Sequence, residues 1–441
     1  MNSRSAIAAR GSSGRRLFSD RYAASSGSCE GAPRSNATTS LDAKHSLAMA
    51  IGKRMVGDMQ QNLTRRVVLT VSMGLILTVG GVSAEEPIRI GAIYSLTGSY
   101  RALEEPALKG ARLAVKKINQ RGGISGRPLE LIHYDGRSTL ADIANAALQL
   151  VHEHKVTAII GVTDSEYYLA SAPIAQDAGI PYLDTGGTVP NLPEQVGEFG
   201  HMMPFGDDYQ AFVAADFAVS DLGAKSAFLL RDADFAYTRA IAQFFRQRFE
   251  EKGGKVLGES SFHTGEPDYS DHISRIRSIE PPPDVIYAAM NPGDDATFVR
   301  QAREAGITQP IIGGDAFDNP GLLKNAGVKN AQNVYFTTHM AMSKSGKPGE
   351  FIESYEKEYG APPENAFAGL GYDSVYLMAE AMNEASELTP TAINEAIFTI
   401  TEFDGVTGKA DFSDRTRAPD KEVAIIAVRD GKFELVGNRK P

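Results

Sequence analysis

Three short stretches of this 441-residue chain carry residues that could hold a small charged molecule. Ser165 follows an apolar run, Val156–Ile160, and stands where a helix should begin. A serine there caps a free backbone amide, and the exposed N–H groups and dipole of the same helix end favour a carboxylate. Gly186-Gly187-Thr188 follows a second short run, Pro181–Leu183. Glycines let backbone N–H and C=O groups come close to a bound molecule. Asp315 follows Ile311-Ile312-Gly313-Gly314 at the end of a third run. An acid there could offer the negative charge that a desolvated ammonium needs. Each position also has a plainer use: a helix cap, a Gly-rich turn before Pro190, and a helix-capping or solvent-facing acid before Pro320.

Residues for covalent chemistry are missing. The chain has no G-x-x-x-x-G-K-[ST], no G-x-G-x-x-G after its opening strand and no G-x-S-x-G elbow. His152 and His154 are two residues apart on an expected helix, so they point to different faces and are expected to be solvated. Asp294-Asp295 reads as a helix start, where acids favour the dipole. Nothing assembles into an acid–base pair or a metal-ligand spacing, so the expectation is a protein that is not an enzyme, with no cofactor and no metal.

The elements that must position these residues alternate between strand and helix. Ile88–Tyr94, Leu129–Tyr134, Val156–Ile160 and Pro181–Leu183 read as short buried strands. Between them Leu108, Ala111, Val115 and Ile118, then Leu140, Ile143, Ala147 and Val151, recur at helical spacing, and Gly122-Gly123 stops the first helix. The pattern restarts after about residue 205 with strands at Ser226–Leu230, Val256–Ser260, Val285–Ala289 and Pro310–Gly313. A third stretch holds helices near Gly349–Tyr359 and Ala366–Met382, then two alternating strands around Arg429-Asp430-Gly431-Lys432, a hairpin turn signal. Such alternation means parallel sheets covered by helices on both faces. The reading is α/β, with two doubly wound Rossmann-like lobes: 87–205 and 206–335, with 336–441 returning to complete the first and then the second. Several crossings would form a hinge, and ligand pockets in such sheets lie beyond the carboxyl ends of the strands.

The beginning of the chain reads as an export leader. Arg65-Arg66 precedes 16 uncharged residues, Val67–Val82, and Val82-Ser83-Ala84 places small residues at a cleavage site after Ala84. A membrane span needs about 20 apolar residues, so cleavage is expected over retention. Thr64-Arg65-Arg66 also fits a twin-arginine signal, and general secretion or that route stays open. Residues 1–58 are rich in Ser, Ala, Gly and Arg and cannot bury a core. Met55 and Met59 are alternative starts, and an organellar transit segment is the other reading. Of 45 basic and 55 acidic residues, the first 84 positions hold 11 and 4, which leaves 34 and 51, a formal charge of −17. That balance disfavours nucleic acid and anionic lipid. The single cysteine, Cys29, falls in the leader, so the remainder has no disulfide and no lipid-anchoring cysteine at the cut.

From about residue 87 to 441 the chain resembles the leucine/isoleucine/valine-type periplasmic binding proteins of ATP-driven importers. The resemblance rests on Ser95-Leu96-Thr97-Gly98, Lys109-Gly110-Ala111-Arg112-Leu113-Ala114, Ile118-Asn119, Gly122-Gly123-Ile124-Ser125-Gly126-Arg127 and Tyr134-Asp135, in that order and spacing. It continues through Ile160-Gly161, Gly179-Ile180-Pro181, Thr185-Gly186-Gly187-Thr188, Asp234-Phe235-Ala236-Tyr237 and Gly313-Gly314-Asp315. It implies two lobes that close on a ligand and delivery to the membrane permease of an ABC importer, and the expected state is a monomer. It also implies that Ser165 and Thr188 hold the carboxylate of an amino acid, that a backbone carbonyl around Gly186–Gly187 and the Asp315 carboxylate take its ammonium, and that Tyr237 closes over it. Leu103 and Asn291 fall where relatives place walls for the ligand's side chain, Asn291 where some have tyrosine. Thr238 after Tyr237 and Glu104 stand where relatives have glycine, and Ser138 and Asp164 align with a disulfide that this chain cannot form. The expected ligand is an amino acid, branched-chain or otherwise aliphatic. An amide, urea or an aromatic carboxylate is the alternative, as is a periplasmic ligand sensor.

Overall fold

The apolar runs fold as strands in a computed structural model that describes residues 85–413 and 417–441. The leader, its cleavage site and the stretch 1–58 lie outside the described residues. In the first series, β1 (Ile88–Tyr94), α1 (Arg101–Gln120), β2 (Leu129–Asp135), α2 (Leu140–Gln149), β3 (Ala158–Gly161), α3 (Ser165–Asp177), β4 (Tyr182–Asp184), α4 (Leu192–Val196) and β5 (Gly200–Met202) follow one another. Their strands form one parallel sheet in the order β2-β1-β3-β4-β5. Six of the seven β1 residues are buried, as a central parallel strand covered on both faces requires. Thr139 caps α2 by accepting from the Asp142 amide. Gly122 and Gly123, both at positive φ, end α1 by returning their amides to the carbonyls of Asn119 and Ile118.

The second series comprises α5 (Asp207–Ser220), β6 (Ser226–Asp232), α6 (Ala236–Glu251), β7 (Lys255–Phe262), α7 (Ser270–Arg277), β8 (Val285–Ala289), α8 (Asp294–Glu304), β9 (Ile311–Gly313), α9 (Pro320–Ala326) and β10 (Val334–Thr338). The third comprises α10 (Gly346–Tyr359), α11 (Phe367–Glu384), α12 (Pro390–Ile397), a small hairpin β11 (Phe403–Gly405) and β12 (Gly408–Ala410), and a long hairpin β13 (Val423–Arg429) and β14 (Lys432–Arg439). The second sheet runs β14-β13-β10-β9-β8-β6-β7, with β13 and β14 antiparallel. Helices α10 to α12 pack into the hydrophobic core of the first sheet. The second sheet has cores on its two faces.

The chain therefore passes between the sheets three times: after β5, after β10 and after β12. The crossings adjoin. The Phe205 ring stacks on His339 at 4.2 Å, joining the first to the second. The Met202 amide donates to the Arg417 carbonyl at 2.8 Å, joining the first to the third. In the third, Lys421 is buried and its Nζ donates to Thr407 Oγ1 at 2.9 Å. Thr407 Oγ1 donates in turn to Asp373 on α11 at 2.6 Å, and burial lowers Lys421 to about 8.

Three elements had no clear signal in the residues. β5 is three residues, Gly200-His201-Met202, with no apolar run, and is held by pairing with β4. β10 joins β9 and β13 but carries Thr337 and Thr338 at its end. β11–β12 is a pair of three-residue strands. The histidine pair also differs from expectation. Leu150–His154 is a π-helical turn continuing α2, and His154 is half-buried against Tyr134 Oη at 2.8 Å, while His152 is exposed.

Candidate functional site

Strands β3 and β4 deliver the first wall of a cavity between the two sheets, and β8 and β9 the opposite one. Asp164-Ser165 follows β3, Gly186-Gly187-Thr188 follows β4, Asn291 follows β8 and Asp315 follows β9. Helix α1 adds Leu103 and α6 adds Tyr237. All seven residues singled out in the sequence, Leu103, Ser165, Gly187, Thr188, Tyr237, Asn291 and Asp315, line this one space of about 240 Å³.

The geometry revises two local expectations. Asp164, not Ser165, caps α3: its Oδ1 accepts from the amides of Glu166 at 3.0 Å and Tyr167 at 3.4 Å. Ser165 is the first helical residue, whose amide has no partner within the helix. Its Oγ accepts from the Val189 amide at 3.3 Å. The Gly187 amide, in turn, donates to Asp184 Oδ1 at 2.9 Å, joined by that of Gly186 at 3.2 Å. Glycine is still needed at 187, because a Cβ would crowd Asp184 Oδ2 and lie 3.2 Å from the Ser165 nitrogen. Thr238 does not disturb Tyr237. Its hydroxyl is 2.9 Å from the Asp232 carbonyl and 3.0 Å from that of Phe235, and Tyr237 reaches both the cavity and a hydrophobic core of the second sheet.

Asp315 is held from two sides. Gln210 Nε2 donates to Oδ1 and His339 Nε2 to Oδ2, each at 2.9 Å. Burial lowers His339, which keeps it neutral and leaves Asp315 without a full positive partner. An ionised carboxylate has about four acceptor positions, so Asp315 retains capacity for a further donor.

Several neighbours of the cavity were not expected there from the sequence, Glu104 having stood out only as a departure from relatives. Tyr100 and Phe367 line the cavity, and Glu104 lies just behind it. Glu104 Oε1 accepts from the Thr163 amide at 2.9 Å, and Oε2 accepts from the Ser95 amide, so one carboxyl ties the loops after β1 and β3 together. The Tyr100 hydroxyl sits 2.7 Å from Asp164 Oδ2 and 2.9 Å from Asn291 Oδ1, bridging the two walls. A second bridge runs from Glu166 Oε1 to the Ala236 amide at 2.5 Å and to Arg239 Nη2 at 3.6 Å. The only visible signs were the residue types themselves, an acid and a tyrosine inside or beside a helix start.

The carboxyl groups around the cavity have no basic side chain among its lining residues. Asp164 and Asp315 line it, Asp184 touches Gly187 and Glu104 touches Thr163, whereas no Lys or Arg lines it. Burial raises Glu104 to about 7 and Asp164 to about 8, and it pushes Asp184 and Asp207 well up. Burial likewise takes Asp295 and Asp318 to about 6. A carboxyl whose folded value exceeds its unfolded one makes the folded state hold more protons, so stability falls as pH rises. The contribution is full below about 4 and is lost as pH passes each folded value, here between about 6 and 8. The melting temperature of the unliganded protein is therefore expected to drop from pH 5 to pH 8 in a calorimetric scan. A melting temperature that rises steadily over that interval would show these carboxyls ionised in the fold.

Two α/β lobes joined by three crossings, with a cavity between them, define a ligand-binding protein of the hinged type. The family model for periplasmic binding proteins matches residues 87–432, and the chain belongs to that family. It is a solute-binding protein. The branched-chain amino acid transporter substrate-binding protein LivJ of Streptococcus pneumoniae, solved with isoleucine, superposes with a TM-score of 0.76 at 29% identity, over 80% of this chain and all 100% of LivJ. The leucine-binding protein LivK of Thermotoga maritima gives 0.75 at 30% identity, over 80% and 99%. A Leu/Ile/Val-binding protein homolog of Brucella abortus is 24% identical over 337 residues, 73% of this chain and 83% of the relative. Among the described residues no helix is long and apolar enough to cross a membrane.

Proposed function

We propose that this protein binds an amino acid in the cavity between its lobes and delivers it to the membrane permease of an ABC importer. The observation that carries this reading is the pairing, in one small cavity, of neutral hydrogen-bonding groups at Ser165 and Thr188 with the buried acid Asp315. The Ser165 amide and hydroxyl and Thr188 take the ligand's carboxylate at the start of α3. Asp315 takes its ammonium, with Gln210 and His339 holding the acid in place. Leu103, Phe367 and the Tyr237 ring receive an aliphatic stem, and Asn291 completes the far wall. The Gly187 backbone lets the two ends of the ligand lie close together.

The ligands of LivJ and of the Leu/Ile/Val-binding relatives support this reading, and so does the charge of the site. A simple aromatic carboxylate would bring negative charge into a cavity with acids around it and no cationic side chain. A zwitterion brings its own positive group. Binding and release, with no covalent step, are the whole activity. We further propose that the leader directs the protein to the periplasm with cleavage after Ala84, and that it acts as a monomer without nucleic acid, metal or cofactor. The test is calorimetry on protein unfolded and refolded to strip carried ligand, against aliphatic amino acids, aromatic acids, amides and urea. Heat from one or more amino acids, and none from benzoate or urea, is expected. Binding confined to benzoate or urea would overturn the reading.

A further inference from the structure

Asn291 leaves one polar atom over. It is 2% exposed, it lines the cavity, and its Nδ2 is buried without a partner. Its Oδ1 meets the Tyr100 hydroxyl, which also meets Asp164 Oδ2. One hydroxyl proton serves one acceptor, so the three groups have two self-consistent arrangements. With Asp164 protonated, it donates to Tyr100, Tyr100 donates to Asn291 Oδ1, and Nδ2 is left over. With Asp164 ionised, Tyr100 donates to it, the Asn291 amide turns to donate Nδ2–H to the tyrosine oxygen, and Oδ1 is left over. In either case protein atoms satisfy only one end of the amide.

The neighbouring wall carries polar groups. Thr163 and Asp164 stand beside Tyr100 on the first-lobe side, and the apolar surface comes from Leu103, Ala316, Phe367 and the Tyr100 and Tyr237 rings. A purely hydrocarbon side chain would bury the spare Asn291 atom with nothing to bond. Buried polar groups left that way are rare in native structures and weaken binding. A hydroxyl has one donor and two acceptor positions and so fits both arrangements.

Resting on the amino-acid reading above, we propose that the preferred ligand is an amino acid whose aliphatic side chain carries a hydroxyl, received by Asn291 at the Tyr100–Asp164 bridge. Asn291 is then a specificity-determining residue.

Threonine and valine have nearly the same shape and differ in this one group, so they are the probes. Titrating stripped wild-type protein with each should give threonine an advantage of at least about tenfold. In Asn291→Leu the advantage should disappear or reverse, with valine binding at least as tightly as it does to wild type. A melting scan shows whether that variant folds, and the wild-type comparison stands without it. Valine or leucine binding wild type as tightly as threonine would overturn this inference and leave the amino-acid reading intact. An absence of binding by all amino acids would overturn that reading and this inference with it.

Discussion

Asp315→Asn is expected to weaken amino-acid binding by at least about a hundredfold. The side chain keeps its shape, so the bonds from Gln210 and His339 can be partly kept and the fold should survive. What is lost is the negative charge opposite the ligand's ammonium. An ammonium taken out of water without a counter-charge carries a desolvation cost that hydrogen bonds to neutral groups offset poorly. The asparagine NH₂ group adds a donor where the ammonium also needs an acceptor. Calorimetry with the best wild-type ligand measures the effect, alongside a melting scan in its absence. An affinity within about threefold of wild type, in a variant that melts normally, would mean that the ligand presents no ammonium to Asp315.

The second large effect concerns the frame of the first lobe. Helices α1 and α11 cross with backbone on backbone. A Cβ on Gly110 would overlap the Ala368 carbonyl oxygen, and one on Gly371 would overlap the Ala107 carbonyl oxygen. Neither obstacle is a side chain that can swing away, so the helices must separate. Gly110→Ala is expected to cost about 3 kcal/mol, at the upper end for overpacking, despite the gain in helix propensity. Gly371→Ala should cost a similar amount. Because the same separation of the two helices relieves both clashes, the double variant should lose less than the sum of the single ones. Denaturant unfolding of the three variants measures this. A single variant as stable as wild type would show that α1 and α11 can part at little cost, and with them Leu103, which α1 holds in the cavity wall.

Most of this frame was legible in the residues. Val285–Ala289 is buried throughout and Ile88–Tyr94 everywhere but at Arg89, so both read as apolar runs. The Gly122-Gly123 stop and the Asp430-Gly431 turn need backbone angles that few other residues supply, and both appear where expected. The short strands β5 and β11–β12 were not legible, since neighbouring strands rather than their own residues hold them in place. The cavity was legible in part. Residues directly after strands, such as Ser165, Thr188 and Asp315, gather there because the carboxyl ends of a parallel sheet face one way. The contacts that set polarity were hidden. Asp164 displaces Ser165 as the helix cap, and Tyr100 reaches Asn291 across 191 positions of sequence. His339 stacks on Phe205 where two crossings meet. The last two contacts depend on distant segments coming together, which no local spacing records.

The most direct test of the central claim is a crystal structure of the protein with its tightest-binding amino acid. The account predicts the lobes closed on the ligand, its carboxylate within hydrogen-bonding distance of Ser165 and Thr188, and its ammonium within about 3.2 Å of an Asp315 oxygen. A ligand lying in the reverse direction, or bound outside the space between Ser165 and Asp315, would contradict it.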